Sequence, residues 1–320
     1  MANDTIKHFI FVRFFSFHDA KYPHDIFDVD FLLKQLPLAR NVLNSLENQT
    51  NKNFELIFVL HPRFFDDLEY SFIFSTLEEY TTLPIKFMRN DGGSYLFSPN
   101  SNPEVAKFLE DATKNYDYVI TTRIDYDDFI YKDAVADTQS KIKECDSVLG
   151  YGYCLGYEYS LGDLYYRQSL WVGNGHLGIA QSLILKSSFA KQNPVFRLSV
   201  ENFDHHILKT ELKRFLEHNG VEFSENMFQQ NTTTLAYIYF RHENAHAIRT
   251  NNRDITQMYQ DRKKLTVKDI TKKQLAEEFG FHLPLKSIKD KEFVFDYDFT
   301  SIQAEEFGSR QDLTAIKWVE

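Results

Sequence analysis

Apolar positions along this chain follow two alternating rhythms. "HFIFVRFF" (8–15), "FELIFVLH" (54–61) and "PIKFMRN" (84–90) are apolar runs of strand length, and the second is continuous, as expected of a strand buried on both faces. Between the first two, "LLKQLPLARNVLNSLENQT" (32–50) sets Leu36, Ala39, Leu43 and Leu46 at helical spacing, with Pro37 in the first turn. "NPEVAKFLEDATKN" (102–115) predicts a helix with Asn102 as its cap and Pro103 at its first position. A strand follows in "YDYVITTR" (116–123), where Val119, Ile120, Thr121 and Thr122 are β-branched and Tyr116 and Tyr118 flank them. Strand, helix, strand, strand, helix, strand predicts an open, mostly parallel α/β sheet with helices on both faces. Such sheets bind ligands beyond the carboxyl ends of their strands.

The rhythm then changes. Residues 146–198 are rich in Gly and Tyr, and their short alternating stretches predict hairpins. A helix is expected over 203–218, ended by Gly220, and a strand over 234–242. Beyond about residue 250 the strand pattern stops. The chain therefore reads as one domain over 1–250 and a mainly helical C-terminal extension over 251–320.

Composition narrows the picture. A chain of 320 residues, 43% apolar and 26% charged, can bury one large core or two modest ones. Its 30 Phe and 18 Tyr are large rigid packing units, some of which could instead line a groove. A net charge of −10 argues against nucleic acid as a partner, yet leaves room for an anionic ligand if a divalent metal supplies positive charge. Cys145 and Cys154 show no CxxC or zinc spacing, and no leader pattern or membrane-length apolar run is present, so a reduced cytoplasmic setting is the expectation. Residues 251–273 carry seven bases against three acids. That segment reads as a solvated helical face, or as a peripheral contact with the inner face of a membrane or with an acidic partner.

Candidate chemistry concentrates where the strand at 116–123 runs into Asp125, Asp127 and Asp128. Carboxylates this close repel one another unless a cation or strong donors sit among them. On an extended backbone Asp125 and Asp127 point the same way and suit Mg²⁺ or Mn²⁺, which take hard oxygen ligands. The same acids could instead favour the positive end of a helix starting near Phe129. "GNGHLG" (173–178) fits a dinucleotide-binding spelling, but no buried strand precedes it and no clear helix follows, so it reads as a turn.

Several blocks, in order, resemble one family. They are Arg13-Phe14 at the end of the first strand, "SLENQT" (45–50), "TTRIDYDD" (121–128), matching a T-R-x-D-x-D-D pattern, and "IYFRHENAH" (238–246). Together they resemble the nucleotide-sugar glycosyltransferases of the GT-A fold, in particular the rhamnosyltransferase group, over most of residues 6–250. The resemblance implies a Rossmann-like GT-A sheet and a nucleoside diphosphate sugar donor. It implies Mn²⁺ or Mg²⁺ on Asp125 and Asp127 with His242 as third ligand, and Arg13, Phe14, Arg123, Asp125 and Asp128 around the donor. An inverting reaction needs a base, and the family places an acid near 199–220, so Asp204 is the first choice and Glu201 the second, with His205 and His206 behind them. At the start of a helix the same region also reads as a cap, through Asn202 or Asp204. The implied acceptor is a carbohydrate or lipid-linked glycan in capsule or lipopolysaccharide assembly, and L-rhamnose rests on the family label alone. Two competitors stand beside this reading. A nucleotidyltransferase acting on sugar phosphates would show a Gly-rich basic loop after the first strand, whereas "RFFSFHDAKYP" (13–23) has no glycine. The other is a carbohydrate-binding protein of the same fold without turnover.

Overall fold

The computed structural model describes residues 4–16, 26–91, 103–160, 163–168, 179–203, 208–241 and 270–283. One sheet organises them, in the order β3-β2-β1-β4-β8-β6-β9-β5, with β7 (Asp163–Gln168) paired to β6 off that path. Its first half is parallel: β3 (Ile85–Arg89), β2 (Glu55–Leu60), β1 (Ile6–Arg13) and β4 (Tyr118–Asp125). The open α/β sheet flanked by helices is as expected. Beyond β4 the pairing turns mixed, because hairpin-forming segments reverse the chain: β8 (Gln181–Lys186) is antiparallel to β4 and to β6 (Val148–Ser160), while β9 (Phe228–Arg241) runs parallel to β6.

Alternation along β1 explains the layers. Ile10 and Val12 point to one face, where they pack with Leu32 and Leu36 and with Val42, Leu43 and Leu46. Phe9 and Phe11 point to the other, against Val105, Leu109 and Ala112 of α5 (Pro103–Asn115). A strand stretch covered on both sides has no polar face to show, which is why Phe9–Val12 form a continuous apolar run.

The structure revises three sequence expectations. The helix expected over 32–50 is two helices, α1 (Val29–Gln35) and α2 (Ala39–Glu47), joined by a 3₁₀ turn at Leu36–Leu38, because Pro37 cannot donate within a continuous helix. The strand–strand step at 54–90 contains α3 (Arg63–Asp66) and α4 (Ser71–Glu79), because parallel neighbours need a crossover. No helix starts near Phe129. Phe129–Ile130 form β5, paired antiparallel to β9, and α6 (Ala134–Ser140) begins later.

After β8, α7 (Ser187–Gln192) and α8 (Leu208–His218) cover Leu183 and Leu185. The last helix among the described residues, α9 (Lys272–Phe279), is seated on the far end of the sheet. Phe279 and Phe281 pack there among Phe129, Tyr157 and Tyr159, and Lys132 donates its N–H to the Glu278 carbonyl at 2.7 Å. Gly280 ends α9 at φ +65°, and a Cβ there would lie 2.8 Å from the Asn44 carbonyl oxygen, so the turn needs glycine on two counts. Residues 251–269, most of the basic segment, lie outside the described residues, while Lys272 and Lys273 are exposed on the first turn of α9. Among the described residues no helix is long and apolar enough to cross a membrane.

Candidate active site at the carboxyl edge of the sheet

β1 and β4 end side by side, with Arg13 in register with Asp125. The Arg13 guanidinium donates to Asp125 Oδ1 from Nε at 3.0 Å and from Nη2 at 2.6 Å. The Asp125 side chain keeps 40% of its exposure and that of Arg13 12%, so the pair lies at the rim of the core. Just past Arg13 the chain bends at Phe15, whose φ of +44° is a left-handed conformation that a bulky residue adopts at a cost of about 1–2 kcal/mol. Aromatic packing holds it there, with Phe15 against Phe14, Phe31 and Tyr126.

β4 stops at Asp125, and Tyr126–Asp127 form a turn. Strand alternation therefore does not relate the Asp125 and Asp127 side chains, and the extended-backbone expectation gives way to a turn fixed by its neighbours. Asn41 of α2 donates its side-chain amide to the Asp127 carbonyl at 2.9 Å, and the Tyr126 hydroxyl donates to Gln35 of α1 at 3.1 Å. Phe14, expected at the donor, has no exposed surface and packs its ring edge-on against Tyr126. Its ring supports the acidic turn from below. Asp128 is also buried and accepts the Phe240 N–H at 3.0 Å, tying the turn to β9.

Two residues back along β4, Arg123 points into the protein with 2% exposure. It reaches the Phe203 carbonyl at 3.3 Å and Gln181 of β8 at 3.4 Å, and Glu201 faces it at 3.9 Å. Glu201 sits on a 3₁₀ turn, Val200–Asn202, closed by reciprocal Ser199–Asn202 hydrogen bonds and anchored to β4 by the Val200 N–H donating to Thr121 Oγ1 at 2.8 Å. Glu201 is fully buried, and among the described residues neither carboxylate oxygen has a hydrogen-bond partner. Burial pushes its carboxyl up to about 7, against the lowering pull of Arg123 and Arg13 and with a further push from Asp125.

Below this edge, His8 Nδ1 accepts from the Gln139 amide at 3.3 Å and its Nε2 contacts Thr122 Oγ1 at 2.8 Å. The Gln139 Nε2 also donates to the Asn53 carbonyl, which can only accept, so the amide orientation is fixed. His8 is thus the neutral Nε2–H tautomer, and burial holds its pKa down at about 3.

The structure brings Arg13, Asp125 and Asp127 to the carboxyl edge, with Arg123 and Glu201 facing each other in the interior. Asp204, His205, His206, His242 and residues 173–178 lie outside the described residues; the next described element is a strand, β8, where a dinucleotide fingerprint needs a helix. Among the described residues no group of three or more His, Cys, Asp or Glu could hold a metal. Mg²⁺ commonly binds through one or two carboxylates plus substrate phosphates. Asp125, partly exposed and all oxygen, with Asp127 two residues on, fits that mode. Sequence reasoning missed two partnerships, Arg13 with Asp125 and Glu201 with Arg123. The first is set by which strands become neighbours, and no local pattern announces it.

No family model and no curated protein matches the chain. Among solved structures it is similar to S. aureus TarS, at 14% identity and TM-score 0.34 over 74% of this chain, which spans 37% of that one. It is also similar to a protein named for nucleotide-diphospho-sugar transfer from Desulfovibrio desulfuricans G20, at 10% identity and TM-score 0.33, covering 73% of this chain and 80% of that chain. A third is 4-diphosphocytidyl-2C-methyl-D-erythritolsynthase from Anaerococcus prevotii DSM 20548, at 10% identity and TM-score 0.37, covering 81% and 99%. At these values none of the three bears on what this chain does.

Proposed function

We propose that this protein is a metal-dependent glycosyltransferase that moves a sugar from a nucleoside diphosphate donor to a carbohydrate or lipid-linked glycan acceptor. One observation carries the reading: Arg13 pairs with the partly exposed Asp125 at the carboxyl ends of adjacent parallel strands, with Asp127 in the turn that follows, where open α/β sheets bind their ligands. Arg13 supplies positive charge for a diphosphate, while Arg123 lies buried beside Glu201. Asp125 and Asp127 hold Mn²⁺ or Mg²⁺, with His242 as third ligand, and a bound cation offsets the charge that builds on the departing diphosphate. Asp128 and Phe14 hold the acidic turn in place. Asp204 takes the acceptor hydroxyl's proton; Glu201, enclosed on all sides, holds Arg123 and stands second for that role. L-rhamnose as the sugar and surface polysaccharide as the product follow from the family resemblance of the sequence blocks.

The test is a panel of nucleotide sugars with and without Mn²⁺, read by thermal shift and then by release of nucleoside diphosphate in the presence of oligosaccharide acceptors. Cation-dependent stabilisation and nucleoside diphosphate release are expected. Pyrophosphate release from a nucleoside triphosphate and a sugar phosphate would replace this reading with nucleotidyl transfer.

A further inference from the structure

Asp125 has one carboxylate and two claimants. The register of β1 and β4 puts Arg13 directly opposite it, and both Nε and Nη2 of the guanidinium converge on a single oxygen, Oδ1. A divalent cation ligated by the same carboxylate would sit within a few ångströms of the guanidinium, and two positive charges that close repel. We propose that Arg13 and the cation are alternative partners of Asp125, so that cation entry displaces Arg13 and turns its guanidinium toward the donor's diphosphate. This inference rests on the cation site of the proposed function and assigns Arg13 a switching role within it.

The surroundings favour an exchange over a simple clash. Arg123 already faces a buried counter-charge, Glu201 at 3.9 Å, whereas the carboxylate beside Arg13 is the one that reaches solvent. Arg13 is anchored by its strand and by the packed turn at Phe14–Phe15, so the guanidinium moves while its backbone stays. A cation arriving together with a diphosphate brings the anion that the displaced guanidinium needs, and a cation arriving alone does not. Cation and diphosphate binding are then coupled through one side chain, and the coupling is reciprocal.

Mn²⁺ affinity measured by the electron paramagnetic resonance signal of the free ion, without nucleotide, tests this on the full chain, with inorganic pyrophosphate as the diphosphate probe. Arg13→Gln should bind Mn²⁺ about tenfold more tightly than the wild type, with Arg13→Lys between them. Pyrophosphate should raise Mn²⁺ affinity in the wild type and do so less in Arg13→Gln. Equal or weaker Mn²⁺ binding by Arg13→Gln, with its circular dichroism unchanged, overturns the competition while leaving the cation site standing. If Arg13→Gln has lost its fold, Arg13→Lys decides alone, and affinity no higher than that of the wild type overturns the competition. Wild-type Mn²⁺ binding that survives Asp125→Ala, or none at all with or without pyrophosphate, overturns the cation site and the competition with it.

Discussion

Asp128 accepts a hydrogen bond from the Phe240 backbone N–H, so a carboxylate of the acidic motif is held by a strand 112 residues further along the chain. Its side chain is buried, which makes it a structural member of a motif whose neighbours face outward. Asp128→Ala leaves that buried donor unpaired and should cost about 2–3 kcal/mol of unfolding free energy. Asp128→Asn keeps an acceptor and should cost less. Urea midpoints measure both, and an unchanged midpoint for the alanine variant would show that the bond contributes nothing.

Asp125 behaves differently. Its ion pair with Arg13 is partly solvated, so Asp125→Ala should change stability by less than about 1 kcal/mol after screening. The same substitution, and Asp127→Ala, should abolish sugar transfer and the Mn²⁺ dependence of nucleotide binding. Full transfer activity in EDTA by either variant would remove the metal from the mechanism.

Glu201 makes stability depend on pH with an unusual sign. Its folded pKa, about 7, lies above its ordinary value of 4.5, so the fold favours the protonated carboxyl. The contribution is fully present below about pH 4.5 and is lost as pH rises through 7, amounting to on the order of 3 kcal/mol. Glu201→Gln, which cannot ionise, should gain stability relative to wild type between pH 5 and pH 8. A difference between the two that does not vary with pH would mean that the carboxyl titrates normally.

His8 has the opposite sign. Its folded pKa of about 3 lies below the ordinary 6.5, so its contribution is present above pH 6.5 and is lost as pH falls toward 3, at about 1.4 kcal/mol per pH unit within that window. Nitrogen-15 NMR of the imidazole should show the Nε2–H tautomer unchanged from pH 7 down to pH 5. A His8 that titrates near 6.5 would break the assignment.

Phe279 joins α9 to the sheet, with 2% exposure and edge contacts to Tyr131 and Tyr157 at 6.0 and 5.9 Å. Phe279→Ala should cost about 3–5 kcal/mol. A chain ended at residue 250 should lose more, because Phe129, Tyr157 and Tyr159 lose their cover. Wild-type stability of that shortened chain would make α9 an accessory.

The apolar runs of β1 and β2 and the proline-started helix α5 were legible because each signal is local. "SFIFSTLEE" carries no clear helical signal, since Phe72, Ile73 and Phe74 are residues that strands favour and only the parallel pairing of β2 with β3 demands a helical crossover there. At the site, Asp125 could be placed at a strand end from the sequence. Its partner Arg13 could not, because their meeting depends on β1 and β4 becoming neighbours across 112 residues. The enclosure of Glu201 likewise comes from a turn laid over β4, and nothing in "SVENF" signals it.

The pairing of β5 with β9 also sets an order of assembly. β1 to β4 can pair with one another once residue 125 has been made, while the other edge of β4 waits for β8. The far side of the acidic turn cannot close until Ile238 and Phe240 exist. At ordinary synthesis speeds of roughly 5–20 residues per second, that wait is on the order of ten seconds. During it, the nascent chain carries every carboxylate of the motif on a half-built sheet, its turn held from one side only, by Asn41 and Gln35. The last strand among the described residues is the one that closes the acidic turn.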